Sequence, residues 1–160
     1  MGSTSDLPVM EKACKWLDDN EIPFEVNALS AHRTPDAVEA FAKGAQERGS
    51  KVIIAAAGMA AALPGVIAAS TNLPVIGVPI KGMLDGLDAM LSIIQMPPGI
   101  PTATVGVNAA QNAAILAAQI IGLSDSAVAA KVAAHKAGLG AKIEKANKDL
   151  AEVKYNFKTN

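Results

Sequence analysis

Lys51-Val52-Ile53-Ile54-Ala55-Ala56-Ala57-Gly58 carries one charge at its start and only apolar side chains up to its glycine. A strand that is apolar on both faces must be covered on both faces, which is the condition of an interior strand in a parallel sheet. The run therefore predicts a buried strand with a layer of helices on each side. Pro74-Val75-Ile76-Gly77-Val78 repeats the pattern. Upstream, residues 35–48 place Val38, Phe41, Ala42 and Ala45 at helical spacing before Gly49, and residues 24–29 read as a further strand. Thr34 is the expected N-cap and Pro35 the first helical residue.

The remaining segments alternate in the same way. Residues 7–20 form an amphipathic pattern with Val9, Met10, Ala13 and Leu17 on one face and Pro8 in the first turn. A short helix is expected over residues 66–70 and a longer one over 85–95, where Leu87, Met90, Leu91 and Ile94 recur at helical spacing. Residues 96–101 are too Pro-rich for a helix or an inner strand. A last strand is expected over 102–107, then an apolar helix capped by Asn108 and ending near Gly122. Strands alternating with helices predict an α/β fold, a parallel sheet with right-handed crossovers. Residues 1–160 read as a single α/β domain, with 1–122 as its core and 123–160 as a C-terminal helical extension.

That extension has Val128, Val132, Leu139, Ile143, Ala146, Leu150, Val153 and Phe157 at steps that suit one helical stripe. Gly138 and Gly140 predict a kink or two helices, and subunit contact is preferred to packing on its own subunit. One strand is missing from the pattern. The loop at residues 2–6 fits a doubly wound sheet only if a strand leads into it, so a short apolar run ahead of Met1 is expected.

Composition narrows the function. Apolar residues make up 51% and charged residues 18%, and the formal net charge is −1. With no basic excess and 3% aromatics there is little to neutralise or stack on nucleic acid. No stretch approaches an uninterrupted membrane span, and a cytoplasmic location is expected. The single Cys14 cannot form an intrachain disulfide and reads as a buried small hydrophobe. His32 and His135 are the only histidines, which makes a zinc site improbable, and the loops lack dinucleotide and phosphate-loop fingerprints.

In a doubly wound sheet ligands sit beyond the carboxyl ends of the strands. Residues 30–35, 58–65 and 79–84 all follow expected strands and open on that edge. The first of these, Ser30-Ala31-His32-Arg33-Thr34-Pro35, sets a hydroxyl, an imidazole and a guanidinium just ahead of a helix N-terminus, where backbone N–H groups favour an anion. Ser3, Ser5 and Asp6 add hydroxyls and one carboxylate. The set suits a phosphorylated small molecule and one proton carrier, because histidine is the side chain that titrates near neutrality. On these features alone, a loop histidine beside an arginine is as often a hydrogen-bonded turn residue as a catalyst.

Five stretches taken together carry a resemblance. Gly2-Ser3-Thr4-Ser5-Asp6-Leu7-Pro8-Val9-Met10, Ser30-Ala31-His32-Arg33-Thr34-Pro35-Asp36, Leu63-Pro64-Gly65-Val66-Ile67-Ala68-Ala69, Leu73-Pro74-Val75-Ile76-Gly77-Val78-Pro79 and Ile94-Gln95-Met96-Pro97-Pro98-Gly99-Ile100-Pro101 closely resemble the N5-carboxyaminoimidazole ribonucleotide mutase family of bacterial purine synthesis. The resemblance spans Gly2 to about Gly122. It implies a flavodoxin-like three-layer sandwich, a homo-octamer, no cofactor and no metal. It also implies the reaction: the carboxylate on the exocyclic nitrogen of a phosphorylated imidazole ribonucleotide is lost as CO2 and reattached at C4.

By the same resemblance His32 is the proton carrier, Ser3, Ser5, Ser30 and Arg33 bind the 5′-phosphate, and Asp6 takes the ribose hydroxyls. Gly58, Met59, Ala60, Ala62 and Leu63 would supply backbone amides and a small closed space for CO2. Ala62 departs from the pattern, since many members carry His there. Two rivals stand beside the mutase. One is the related carboxylase that fixes free CO2, whose signature tends to have Lys at the Arg33 position. The other is a non-catalytic nucleotide-binding module of the same fold.

Overall fold

A computed structural model describes residues 1–160. After a single 3-10 turn at Thr4–Asp6, the order is α1 (Leu7–Asp19), α2 (Pro35–Gly44), β1 (Ile53–Ala57), α3 (Leu63–Ala69), β2 (Val75–Pro79), α4 (Leu87–Ile94), β3 (Ala103–Thr104), α5 (Ala110–Gly122) and α6 (Ser126–Ala151). The strands form one parallel sheet in the order β1-β2-β3, with Ile53 opposite Val75 and Ile76 opposite Ala103.

Two cores lie on opposite faces of this sheet, because successive side chains of a strand point to opposite sides. Ile53, Ala55 and Ala57 meet Val38 and Ala42 of α2, Leu63 and Ile67 of α3, and Ala89 and Ile93 of α4. Ala56, Ile76 and Val78 meet Met10, Trp16 and Leu17 of α1 and a row of buried alanines on α5. Helices, sheet and helices make the three layers of a flavodoxin-like α/β fold. Gly77 is required by this packing, since a Cβ there would stand 2.3 Å from Cγ2 of Ile93.

The structure departs from several expectations. Residues 24–29 run extended but are not a strand of the sheet. Only Met1 and Gly2 pair with this segment and with β1: the Met1 amino group donates to Asn27 O at 2.9 Å, Leu29 N–H to Met1 O at 2.9 Å, and Gly2 N–H to Ala56 O at 3.0 Å. Beyond that rung the segment has no neighbour to bond. It is held from outside, where Arg48 pairs with Glu25 at 3.0 Å and lies over Phe41. The last strand is two residues long, between Pro101 and Gly106, rather than 102–107. Asn108 does not cap α5; Ala109 stands at the N-cap, and Asn108 is spent on the loop after β2.

α6 is one continuous helix through Gly138 and Gly140, neither of which has any group near its Cβ position. A glycine costs a helix about 1 kcal/mol. Here the cost is met by a long run of alanines and lysines and by a firm start, with Asp125 Oδ1 accepting from Ala127 N–H at 3.0 Å and Val128 N–H at 3.1 Å.

The first turns of α6 pack on α5 and reach α1 only at Trp16. Val128 is buried, Lys131 bonds Glu21 O, and the Trp16 indole N–H donates to His135 Nδ1 at 3.1 Å, the two rings meeting edge-on. Beyond His135 the helix is exposed, with Leu139, Ile143 and Leu150 bare. No helix is long and apolar enough to cross a membrane. Cys14 is half-buried rather than fully buried, and burial pushes its thiol up.

Two outcomes are expected. His135→Ala leaves the buried indole N–H of the chain's only tryptophan without an acceptor, which costs about 1–3 kcal/mol. Urea unfolding followed by tryptophan emission should show a lower midpoint and an altered native spectrum. Burial lowers the Met1 amino group from its ordinary 8.0, with the nearby Asp6 carboxylate opposing the shift. The unfolded chain therefore holds more protons in the window below that ordinary value, and stability rises as pH climbs through it. Thermal melts from slightly acid to slightly basic pH should show a rising contribution that Nα-acetylation removes.

Candidate active site

The turn between residues 30 and 34 is closed by its own side chains. Thr34 N–H donates to Ser30 O at 2.8 Å, Ser30 N–H donates to Thr34 Oγ1 at 3.0 Å, and that hydroxyl is 3.2 Å from Ser30 O. Thr34 is the N-cap of α2 by position, but its side chain caps nothing and braces this turn instead. Ser30 Oγ accepts from both Arg33 N–H and Arg33 Nε–H at 3.2 Å, and Arg33 Nη2 reaches Gly2 O at 3.3 Å. The guanidinium is thus fixed between the two loops.

The loop at residues 2–6 is ordered by a capping box. Ser3 Oγ accepts from Ser5 N–H at 3.3 Å, while Asp6 Oδ2 accepts from Ser3 N–H at 3.1 Å. Asp6 is the one buried charged residue. Its Oδ1 has no hydrogen-bond partner within the chain, so the carboxylate keeps an acceptor to offer.

A third loop closes the same edge. Ile80 N–H donates to Ala57 O at 2.9 Å, which holds the start of the 58–62 loop against residue 80. Met59 sits at φ 54°, a left-handed conformation that turns the chain sharply into α3. Asn108, at φ 58°, donates its N–H to Pro79 O and accepts Lys81 N–H on Oδ1, both at 2.8 Å. This clamp was not foreseen. The only signal for it was an Asn between a strand and a helix, which reads equally as a cap.

The structure therefore brings Ser3, Asp6, Ser30 and Arg33 onto one strand-end edge with Gly58. His32 lies between Ser30 and Arg33 in the chain, exposed and without a hydrogen-bond partner. Ser5, Met59 and Ala60 are exposed at the same edge, and Ala62 stands at the N-cap of α3 with no side chain to cap it. Leu63 differs from the rest: it is buried and faces an apolar cavity on the far side of the loop. No group of three or more His, Cys, Asp or Glu side chains converges as a metal site would require.

Comparison with known proteins identifies the family. The sequence model of the AIR carboxylase family matches residues 1–142. The N5-carboxyaminoimidazole ribonucleotide mutase of Pyrococcus abyssi is 60% identical over 124 residues, 77% of this chain and 71% of that one. The phosphoribosylaminoimidazole carboxylase of Saccharomyces cerevisiae is 56% identical over 133 residues, 82% of this chain but 23% of that much longer protein. The crystal structure of Treponema denticola PurE superposes with a TM-score of 0.82 at 30% identity, covering 94% of each chain. The three-layer fold, the strand-end loops and these matches together establish that the chain belongs to the AIR carboxylase family.

Proposed function

We propose that the chain is an isomerase of purine biosynthesis, converting N5-carboxyaminoimidazole ribonucleotide to its C4-carboxylated isomer. The observation that carries this reading is the Ser30–Arg33 pair braced onto Gly2, with an unengaged histidine between its two members. A fixed guanidinium beside hydroxyls suits a phosphate monoester. An imidazole bound to nothing is free to trade a proton with a substrate.

Each step then has a group to serve it. The N–CO2 bond breaks, its electron pair stays on the exocyclic nitrogen, and His32 delivers the proton that nitrogen needs. The ring carbon C4 attacks the released CO2 and forms the new C–C bond. His32 then takes the proton from C4, which restores the aromatic ring and returns the imidazole to its starting charge. Arg33, Ser30, Ser3 and Ser5 hold the 5′-phosphate, and Asp6 offers Oδ1 to the ribose hydroxyls. The small residues Gly58, Ala60 and Ala62, with the backbone at Met59 and Leu63, wall the space in which CO2 waits.

Ala62 leaves His32 as the only imidazole at the site, since His135 is committed to Trp16. The edge is open to solvent in one subunit, and a closed CO2 space needs a cover. Met59, Met83 and Leu84 are exposed around it, and α4 bares Leu87, Leu91 and Ile94. A homo-oligomer supplies such a cover, and the sequence resemblance favours eight subunits, with the bare half of α6 as a further contact.

The test is turnover followed by ultraviolet absorbance, with N5-carboxyaminoimidazole ribonucleotide in one cuvette and aminoimidazole ribonucleotide plus bicarbonate in another. The mutase reading expects conversion of the first substrate; conversion of the second alone would make the chain a carboxylase. His32→Asn should lose at least about a thousandfold in kcat while melting like the parent chain. Nucleotide binding with no turnover of either substrate by the parent chain would leave a binding module.

A further inference from the structure

The strand-end edge is made by residues 2–6, 30–34, 58–62, 80–86 and 106–109, and the only lysine or arginine side chains in these loops are Arg33 and Lys81. The substrate of the proposed reaction brings two anionic groups to this edge, a phosphate and a carboxylate. Arg33 serves the phosphate in that reading, held by Ser30 Oγ and Gly2 O. The carboxylate has no side chain assigned to it. Gly58, Met59, Ala60, Ala61 and Ala62 carry no polar side chain, so their loop meets an anion with backbone alone.

Lys81 has a fixed base and a loose head. Its N–H donates to Asn108 Oδ1 at 2.8 Å. Ile80, just before it, donates its N–H to Ala57 O at 2.9 Å, and Ile80 O would stand 3.5 Å from a Cβ placed on Gly58. On the other side a Cβ on Gly86 would stand 3.2 Å from Lys81 Cα. The backbone of Lys81 is thereby pinned beside the first residue of the small-residue loop. Its ammonium, on a flexible carbon stem, makes one ion pair, with Asp85 Oδ1 at 3.0 Å, and the two side chains are 60% and 88% exposed. An ion pair that exposed is worth little, so the ammonium exchanges partners at small cost. Asp85 is nonetheless placed by a demanding turn. Leu84 and Asp85 lie at φ 47° and 55°, a left-handed conformation that residues with a Cβ rarely adopt, and Gly86 follows at 88°. Gly86 N–H closes the turn on Met83 O at 2.9 Å.

We propose, on the functional reading above, that Lys81 is a specificity residue: its ammonium leaves Asp85 for the carboxylate of the nucleotide and so selects carboxylated over non-carboxylated imidazole ribonucleotides. Asp85 is the resident anion that the carboxylate displaces. Before the reaction the negative charge is on the N-carboxylate, and after it on the C4 carboxylate. Between the two the carbon is neutral CO2, which attracts an ammonium only weakly. Lys81 therefore strengthens the binding of substrate and product without favouring the species between them. Binding of that kind is expressed in KM and not in kcat.

Calorimetric titration with aminoimidazole ribonucleotide and with its C4-carboxylated derivative tests this. The parent chain should bind the carboxylated nucleotide at least about tenfold more tightly. Lys81→Met should lose that preference, keep its affinity for aminoimidazole ribonucleotide and melt like the parent chain. In turnover its loss should fall on KM, by about the same tenfold. Lys81→Arg should keep most of the preference, and Asp85→Asn, which frees the ammonium, should bind the carboxylated nucleotide more tightly than the parent does. A Lys81→Met chain with the parent's preference would overturn the proposal, as would a loss shared equally by both nucleotides. Weaker binding of the carboxylated nucleotide by Asp85→Asn would overturn the exchange of partners. A parent chain that binds both nucleotides alike would overturn the role of Lys81 and leave the functional reading standing, whereas a parent chain that binds neither would overturn both.

Discussion

The rung formed by Met1 and Gly2 is the contact on which the site depends. Its hydrogen bonds to Asn27, Leu29 and Ala56 fasten three chain segments that share no other backbone ladder. From that rung the chain turns into the capping box that orders Ser3 and Asp6, and Gly2 O receives Arg33 from the neighbouring turn. The phosphate-type cradle is thus assembled from residues far apart in sequence. Its geometry is only as firm as the sheet edge beneath it.

The same arrangement separates the tasks of the proposed chemistry. Arg33 and Ser30 are tied to each other and to the backbone, which suits groups that hold a phosphate still. His32, between them in sequence, is tied to nothing and is free to give and take a proton. Asp6 is buried and half-satisfied, so it has an acceptor with which to orient a hydroxyl. The residues after β1 are small, and Met59, Met83 and Leu84 are exposed.

Much of this was legible because the relevant signals are local. Apolar runs at 51–57 and 74–78 announced strands covered on both faces, and helical spacing placed α1, α2 and α4 within a few residues of their true ends. The turn at Ser30 was placed correctly by Pro35, although Thr34 turned out to brace the turn rather than cap the helix. The failures were non-local. Residues 24–29 have strand-like composition, but a strand needs a neighbour, and only Met1 hydrogen-bonds this segment through its backbone. Gly138 and Gly140 predicted a break that an exposed helix with strong neighbours tolerates. Asn108 and the Trp16–His135 contact join residues 27 and 119 positions apart, and no sequence spacing announces such pairs.

In the proposed reaction one histidine moves the proton while CO2 stays in a space walled by small residues. The direct test is the fate of the carbon: substrate labelled in its N-carboxylate is turned over in unlabelled bicarbonate buffer, and the product carboxylate is analysed by mass spectrometry. Retention of nearly all the label at C4 is the predicted result. Loss of label to the level of the buffer pool would show that CO2 leaves the site and would rule out a closed transfer.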